Sequence, residues 1–173
     1  MKDSAQEHRS QAPGSVACCV ITVSDTRTPE TDKSGTLIRD LLQENGHRLE
    51  SYTIVKDDYD LIRETIYSAS TRAGVEAILL TGGTGISPRD STYEAVTSLM
   101  DKNLPGFGEL FRLLSFQEDV GPAAMLSRAI AGTIGSKAVF SMPGSAAAVR
   151  LAMNRLILPE LGHVMREIYK KES

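Results

Sequence analysis

An α/β fold around a mostly parallel sheet is the class this sequence predicts, and three observations carry it. Apolar runs of strand length alternate with stretches whose apolar residues recur at helical spacing. The strongest runs are apolar without alternation, as expected of strands buried on both faces of a parallel sheet. Small polar or glycine-rich segments follow four of the strands, where open parallel sheets hold their ligands.

The elements follow in order. SVACCVITVSD, residues 15–25, is a β-rich apolar run ending in small polar residues. TDKSGTLIRDLLQENG places Leu37, Ile38, Leu41 and Leu42 on one helical stripe. Asp32 or Ser34 caps its start, and Gly46 stands where a helix end favours a left-handed residue. RLESYTIV, residues 48–55, is a partly alternating strand. KDDYDLIRETIYSASTRAG gives a helix with Leu61, Ile62, Ile66 and Ala69 on its apolar face and Gly74 as its stop, and EAILLT at 76–81 is a third strand. Strand–helix–strand–helix–strand is the grammar of a parallel sheet. A helix starts near Ser91, and LPGFG at 104–108 breaks it. ELFRLLSFQE and GPAAMLSRAIAG both read as helical. KAVFSM at 137–142 is a strand, PGS a turn, and Ser145 caps a helix through Ala152 and Leu156. LPELGHVMREIYKK is a last helix, with Pro159 tolerated in its first turn.

Neither an internal repeat nor a low-complexity linker divides the chain, so residues 15–173 read as one domain. Residues 1–14 are polar and read as a loose N-terminal tail, with an arm packed on a neighbouring subunit as the alternative. The 173 residues suffice for a proper core. A net charge of −3 with both signs mixed gives no reason to expect nucleic acid or an anionic membrane as partner. No run approaches the ~18 apolar residues of a membrane span, and the N-terminus lacks the apolar core of a signal peptide. Cys18 and Cys19 are adjacent, which suits two small strand residues better than a disulfide, a zinc site or a redox pair. A reduced, cytoplasmic protein is expected.

SDTR, KDD, TGGTGISPRD and MPGS end the four strands, and parallel strands would bring all four to one edge of the sheet. Gly82, Gly83 and Gly85 let the backbone turn tightly and approach a ligand closely. Their N–H groups and the following helix form an anion nest, with Thr81 and Thr84 adding hydroxyl donors. The segment is neither a Walker loop, having no Lys after the glycines, nor a dinucleotide fingerprint, since Pro88 stands at the third glycine. A plain strand-to-helix turn is the competing reading of the glycines alone. Ser91 and Glu94 match a capping box, which frees Asp90 from obvious capping duty. An acid beside an anion nest points to a cation between them, and Mg²⁺ held by one or two carboxylates plus substrate phosphates is the common solution. Asp57 is the second carboxylate in that reading; otherwise it is a helix cap, with Asp58 as its rival. Arg89 is a planar phosphate binder in principle, and Arg112 and Arg128 are either further phosphate partners or surface arginines. Leu104, Phe107, Leu110, Phe111 and Leu114 are either core or subunit interface.

Together, LLTGGTGISPRDSTYEAV, LPGFGELFRLLS, AMLSRAIAG and MPGSAAAVRLA resemble the MoaB/MogA family of molybdenum cofactor biosynthesis, nearer the MoaB branch. The resemblance spans roughly residues 16–170 and implies a three-layer α/β/α sandwich. It implies an adenylyltransferase that joins the phosphate of molybdopterin to the AMP of Mg-ATP, releases pyrophosphate and so prepares molybdopterin for molybdate; a non-catalytic molybdopterin carrier is the alternative. Carried over by motif, Asp57 and Asp90 are the catalytic and Mg²⁺-binding acids. Thr81, Gly82, Gly83, Thr84, Gly85, Pro143, Gly144 and Ser145 hold phosphate and nucleotide. Ser24, Asp25, Ser87, Pro88 and Arg89 face molybdopterin. A homotrimer, or a hexamer of two trimers, is implied, as is contact with other proteins of molybdenum cofactor biosynthesis. Lys56 stands where the family often has proline before the acidic pair, and Ser145 where the other branch has Asn or Gln followed by proline.

Overall fold

The computed structural model describes residues 12–170, so most of the expected N-terminal tail lies outside the described residues. A six-stranded sheet is formed by β1 (Ala17–Val23), β2 (Arg48–Val55), β3 (Ala77–Thr81), β4 (Lys102–Asn103), β5 (Ile130–Ile134) and β6 (Lys137–Met142) in the order β2-β1-β3-β6-β5-β4. Strands β2, β1, β3 and β6 run parallel, while β5 and β4 extend the sheet antiparallel. Helices α1 (Lys33–Glu44), α4 (Pro105–Glu118), α5 (Ala146–Ala152) and α6 (Leu158–Tyr169) pack on one face. Helices α2 (Tyr59–Thr71) and α3 (Thr92–Leu99) pack on the other. This is a three-layer α/β/α sandwich.

Side-chain alternation divides the core. In β1, Cys18 and Val20 join the α1 side, whereas Cys19, Ile21 and Val23 join the α2 side. Because both faces are covered, every residue of β1 and β3 is buried, which is why these strands read as unbroken apolar runs. The Phe107 ring packs edge-on to Phe140 of β6 at 5.5 Å and lies 6.4 Å from Phe111, fixing α4 over the sheet. Burying side chains of this size is worth roughly 1.5–3 kcal/mol each.

Helix starts follow local chemistry. The Asp32 carboxylate accepts from the Gly35 N–H at 2.9 Å and caps α1; Asp58 accepts from the Leu61 N–H at 3.0 Å and caps α2. Ser145 caps α5 by accepting from Ala148. Gly46 closes α1 at φ 80°, as expected.

Two readings need correction here, and one element is new. LPGFG does not break a helix: Leu104 precedes the first turn of α4, with Pro105 at the position where its missing N–H costs nothing. GPAAMLSRAIAG is not helical throughout; a 3₁₀ segment over Gly121–Leu126 gives way to β5. Ile130 and Ile134 face the α2 layer while Ala129 and Ala131 face the other, a two-residue period that its antiparallel partner β6 enforces. The short strand β4 was not foreseen.

Burial pushes the Cys18 thiol up to about 12, with the Glu76 and Cys19 charges adding to it and Arg48 opposing, and burial likewise raises Cys19. Both side chains are buried. The native protein should therefore resist iodoacetamide at pH 8, with both thiols labelled only after unfolding in denaturant. Mass spectrometry of native and denatured samples checks this, and rapid native labelling would contradict the packing described.

Candidate functional site

The winding of the sheet locates its ligand crevice. From β1 the chain crosses through α1 to β2 on one side, then returns through α2, on the opposite face, to β3 on the other. The strand order therefore reverses between β1 and β3, and at such a switch point the carboxyl-end loops part to leave a cleft.

The loop after β3 passes this point with almost no clearance. Gly82 has φ 100°, and a Cβ there would sit 2.3 Å from the Val23 carbonyl oxygen of β1. At Gly83, φ 64°, a Cβ would sit 2.2 Å from Thr92 Oγ1 and 2.9 Å from Asp57 Oδ2. The loop is sewn down on both flanks. The Gly82 N–H donates to the Met142 carbonyl at 3.1 Å, the Thr81 hydroxyl to the Pro143 carbonyl at 3.1 Å, and the Thr92 N–H to the Gly83 carbonyl at 3.2 Å. Thr84 is buried beside them.

Carboxylates from three strand ends converge on this loop. With Asp58 occupied as the α2 cap, Asp57 turns the other way: its Oδ1 accepts from the Ser91 N–H at 3.1 Å and the Ser91 hydroxyl at 2.9 Å. The Asp57 N–H donates to Asp25 Oδ1 at 3.1 Å, and Asp25 Oδ2 pairs with Arg89. Asp90 Oδ2 accepts from the Ser87 N–H at 2.9 Å, closing the turn through Ser87, Pro88 and Arg89. Ser24 folds its own loop, accepting from the Thr26 and Arg27 N–H groups. The Arg89 side chain is 76% exposed, so its pair with Asp25 adds little stability and leaves the guanidinium accessible to an anion.

Two cation readings separate. Arg128 donates from Nε to the Gly85 carbonyl at 2.9 Å and from one terminal nitrogen to the Asp90 carbonyl at 3.3 Å; the other terminal nitrogen pairs with Glu94. Its guanidinium also lies 5.1 Å from the Tyr93 ring centroid. Arg128 thus fastens the backbone that carries Asp90. Arg112 instead lies along α4 near the Ser127 and Ala129 carbonyls, away from the glycine loop. The Ser91–Glu94 capping box is corrected by the same contacts. Ser91 precedes α3 but its side chain makes no cap bond, because its hydroxyl goes to Asp57, while Glu94 is held by Arg128. The Arg128 hydrogen bond, against a small burial effect, holds the Glu94 carboxyl below its ordinary range.

Two clefts meet at Asp90. One, of about 400 Å³, runs from Gly82, Gly83, Thr84 and Gly85 to the turn of Pro143, Gly144 and Ser145. Its far wall is α4 and the 3₁₀ segment, with Phe111, Ser115, Asp119 and Leu126. The other, of about 360 Å³, is lined by Tyr59, Ser87, Pro88, Ser91 and Arg128. The motifs gave no sign of Ser115 and Asp119. Ser115 is a buried polar residue on an otherwise apolar helical face, and that mismatch is the signal available in the sequence. Among the described residues no three His, Cys, Asp or Glu side chains gather to form a complete metal cage. A divalent cation at Asp57 and Asp90 would therefore take its other oxygens from phosphate or water, the donor set that suits Mg²⁺.

Residues 19–163 match the family model described as "Probable molybdopterin binding domain". Over 167 residues, 96% of this chain and 98% of the relative, the chain is 62% identical to molybdenum cofactor biosynthesis protein B of Halalkalibacterium halodurans. Among solved structures it resembles a molybdenum cofactor biosynthesis protein B at 58% identity and TM-score 0.90, covering 93% of this chain and all of that one. The tungsten cofactor synthesizing protein MoaB from Pyrococcus furiosus is similar at 37% identity and TM-score 0.82, over 92% of this chain and all of that one.

The clearance at Gly82 can be tested directly. Gly82→Ala places a methyl group against the Val23 carbonyl and forces an L-residue to φ 100°. It should lower unfolding free energy by about 2 kcal/mol or more, read as a shift in urea midpoint at unchanged slope. Wild-type stability would show that the loop moves aside freely.

Proposed function

This chain belongs to the molybdopterin binding family of molybdenum cofactor biosynthesis proteins, and on that premise we propose that its switch-point cleft transfers the adenylyl group of ATP to the phosphate of molybdopterin. The observation that carries the reading is that acids from two different strand ends border the glycine loop, Asp57 against Gly83 and Asp90 against Gly85, with Ser91, the residue after Asp90, hydrogen-bonded to Asp57.

In this reading an oxygen of the molybdopterin phosphate attacks the α-phosphorus of ATP. A new phosphorus–oxygen bond forms as the bond to the β-phosphate breaks, and pyrophosphate leaves. The attacking phosphate is already ionised near neutral pH, so no strong general base is required. Catalysis then rests on positioning and charge neutralisation. Asp90 and Asp57 would hold Mg²⁺, which neutralises charge on the phosphates. The Gly82 N–H is spent on the Met142 carbonyl, so the N–H groups of residues 83–85 would serve as the anion donors. The 143–145 turn and the start of α5 face the nucleotide side. Ser24, Asp25, Ser87, Pro88 and Arg89 border the molybdopterin side, with Arg89 free to exchange Asp25 for an anionic ligand.

An assembly accompanies this proposal. The apolar set divides: Phe107 and Phe111 are buried in the core, Leu114 is partly buried, and Leu104 and Leu110 are exposed. Leu110, Leu113 and Phe116 recur every three residues along α4 and are each about half exposed, and Met125 is 80% exposed, the kind of apolar surface that interfaces cover. This face supports a homotrimer, or a hexamer of two trimers. Light scattering during size exclusion should then give a mass near three or six chains, and a species of one chain's 18.7 kDa would reject it.

The transfer is tested by incubating the protein with molybdopterin and Mg-ATP and measuring adenylyl-molybdopterin and pyrophosphate. Asp90→Asn and Asp57→Asn should each lower turnover by about 10²-fold or more with little change in melting temperature. Normal turnover in either variant would remove that acid from the proposed chemistry, and molybdopterin binding without product would select a carrier.

A further inference from the structure

A part-buried polar network converges on the turn after β6, through two residues, Arg27 and Ser34, that have no part in the chemistry above. Arg27, on the loop after β1, donates from one guanidinium nitrogen to the Gly144 carbonyl at 3.0 Å. From the other it reaches Ser34 Oγ at 2.9 Å and Asp32 Oδ1 at 3.3 Å. Ser34 Oγ in turn donates to the same Gly144 carbonyl at 2.5 Å. Asp32 is anchored independently, accepting from the Tyr52 hydroxyl at 2.6 Å and the Gly35 N–H at 2.9 Å. The Arg39 guanidinium lies 4.2 Å from the centre of the Tyr52 ring. Asp32 and Ser34 are each only 1% exposed. Burial works to raise the Asp32 carboxyl, but the Thr22 and Tyr52 hydroxyls, the Gly35 N–H and the Arg27 charge outweigh it and hold the group below its ordinary range.

The target of this network is unusual. A carbonyl in a surface turn is ordinarily served by water, yet the Gly144 oxygen receives two side-chain donors, one of them charged. From the opposite flank Thr81 holds the preceding carbonyl, that of Pro143. Between these grips Gly144 is pressed onto the glycine loop, where a Cβ at 144 would lie 3.3 Å from Gly82 Cα. Both residues line the 400 Å³ cleft.

We propose that Arg27, with Ser34 and Asp32 behind it, is a positioning residue that fixes the 143–145 turn against the 82–83 loop and so sets the grip of the cleft on nucleotide. The inference rests on the reading of this turn as the nucleotide side. Arg27 itself touches no substrate in this scheme: its charge is met by Asp32, and both terminal nitrogens bond protein oxygens. Loosening the turn therefore weakens the nucleotide complex and leaves the chemistry at Asp57 and Asp90 intact.

The test uses the full chain, with Arg27→Ala, Arg27→Lys and Ser34→Ala. Ser34→Ala removes the hydroxyl that links Arg27 to the Gly144 carbonyl while keeping the Arg27–Asp32 pair, so it keeps the test open should Arg27→Ala fold poorly. Wild-type titration with Mg-ATP comes first; absence of binding there overturns the nucleotide reading before any variant is compared. Given wild-type binding, Arg27→Ala and Ser34→Ala should raise KM for ATP about tenfold while kcat stays within about twofold and KM for molybdopterin is unchanged. Amide hydrogen exchange in the peptide covering residues 143–148 should quicken in both, and Arg27→Lys should restore part of the ATP affinity. A lowered melting temperature with unchanged KM and exchange overturns the proposal, since a merely structural contact behaves that way. Faster exchange without any loss of ATP affinity overturns it as well.

Discussion

The closeness of one loop to one carbonyl governs the site. Strands β1 and β3 are neighbours whose continuing chains lead to opposite faces, and the β3 loop must cross the end of β1 to enter α3. It crosses at Gly82, where the Val23 carbonyl leaves no room for a side chain. Everything that gives the cleft its chemistry follows from that crossing. It brings Gly83 against Thr92 and Asp57, lays Gly144 beside the loop, and carries the chain to Asp90 at the junction of the two clefts. A loop displaced outward by a methyl group would separate the acids from the N–H groups together.

Around this crossing, the division of labour between neighbouring acids is set by geometry. Asp57 and Asp58 are chemically identical and adjacent. Asp58 lies at the helix start with extended backbone, φ −134° and ψ 127°, and takes the capping bond. Asp57 points back over the sheet edge to Ser91. Its own N–H is held by Asp25, which also restrains Arg89. The β1, β2 and β3 loops thus share one set of hydrogen bonds, and the site behaves as a connected edge of the sheet.

Much of the fold was legible before any coordinates. Strands buried on both faces, such as β1 and β3, have no choice but continuous apolar sequence, and β6 begins and ends where its pattern does. Strand β5 was not legible, because the alanines before and within it continue the helical pattern of GPAAML and its register comes from β6 and from the turn at Gly135, φ 55°. The Ser91–Glu94 box failed for a similar reason. Local spacing was right, but Arg128, 34 residues away, competes for Glu94, and Asp57 competes for Ser91. The convergence of four strand ends could be read from parallel order alone. The far wall was legible only at Ser115, which interrupts the apolar face of α4; Asp119, just past its end, looks like any solvated position until the packing direction is known.

The bonds that hold Gly144 join residues 110 and 117 positions apart, and the Arg128 bond to Gly85 spans 43. Contacts this far apart in sequence carry a large loop-closure entropy and are made only when both halves of the chain are present. As the polypeptide emerges from the ribosome, β1, β2, β3 and their helices have their local partners early. The cleft lacks the wall formed by residues 143–145 until β6 and the turn after it arrive. A fragment ending between residues 90 and 143 retains the glycine loop and both acids but not the Gly144 carbonyl on which Arg27 and Ser34 close.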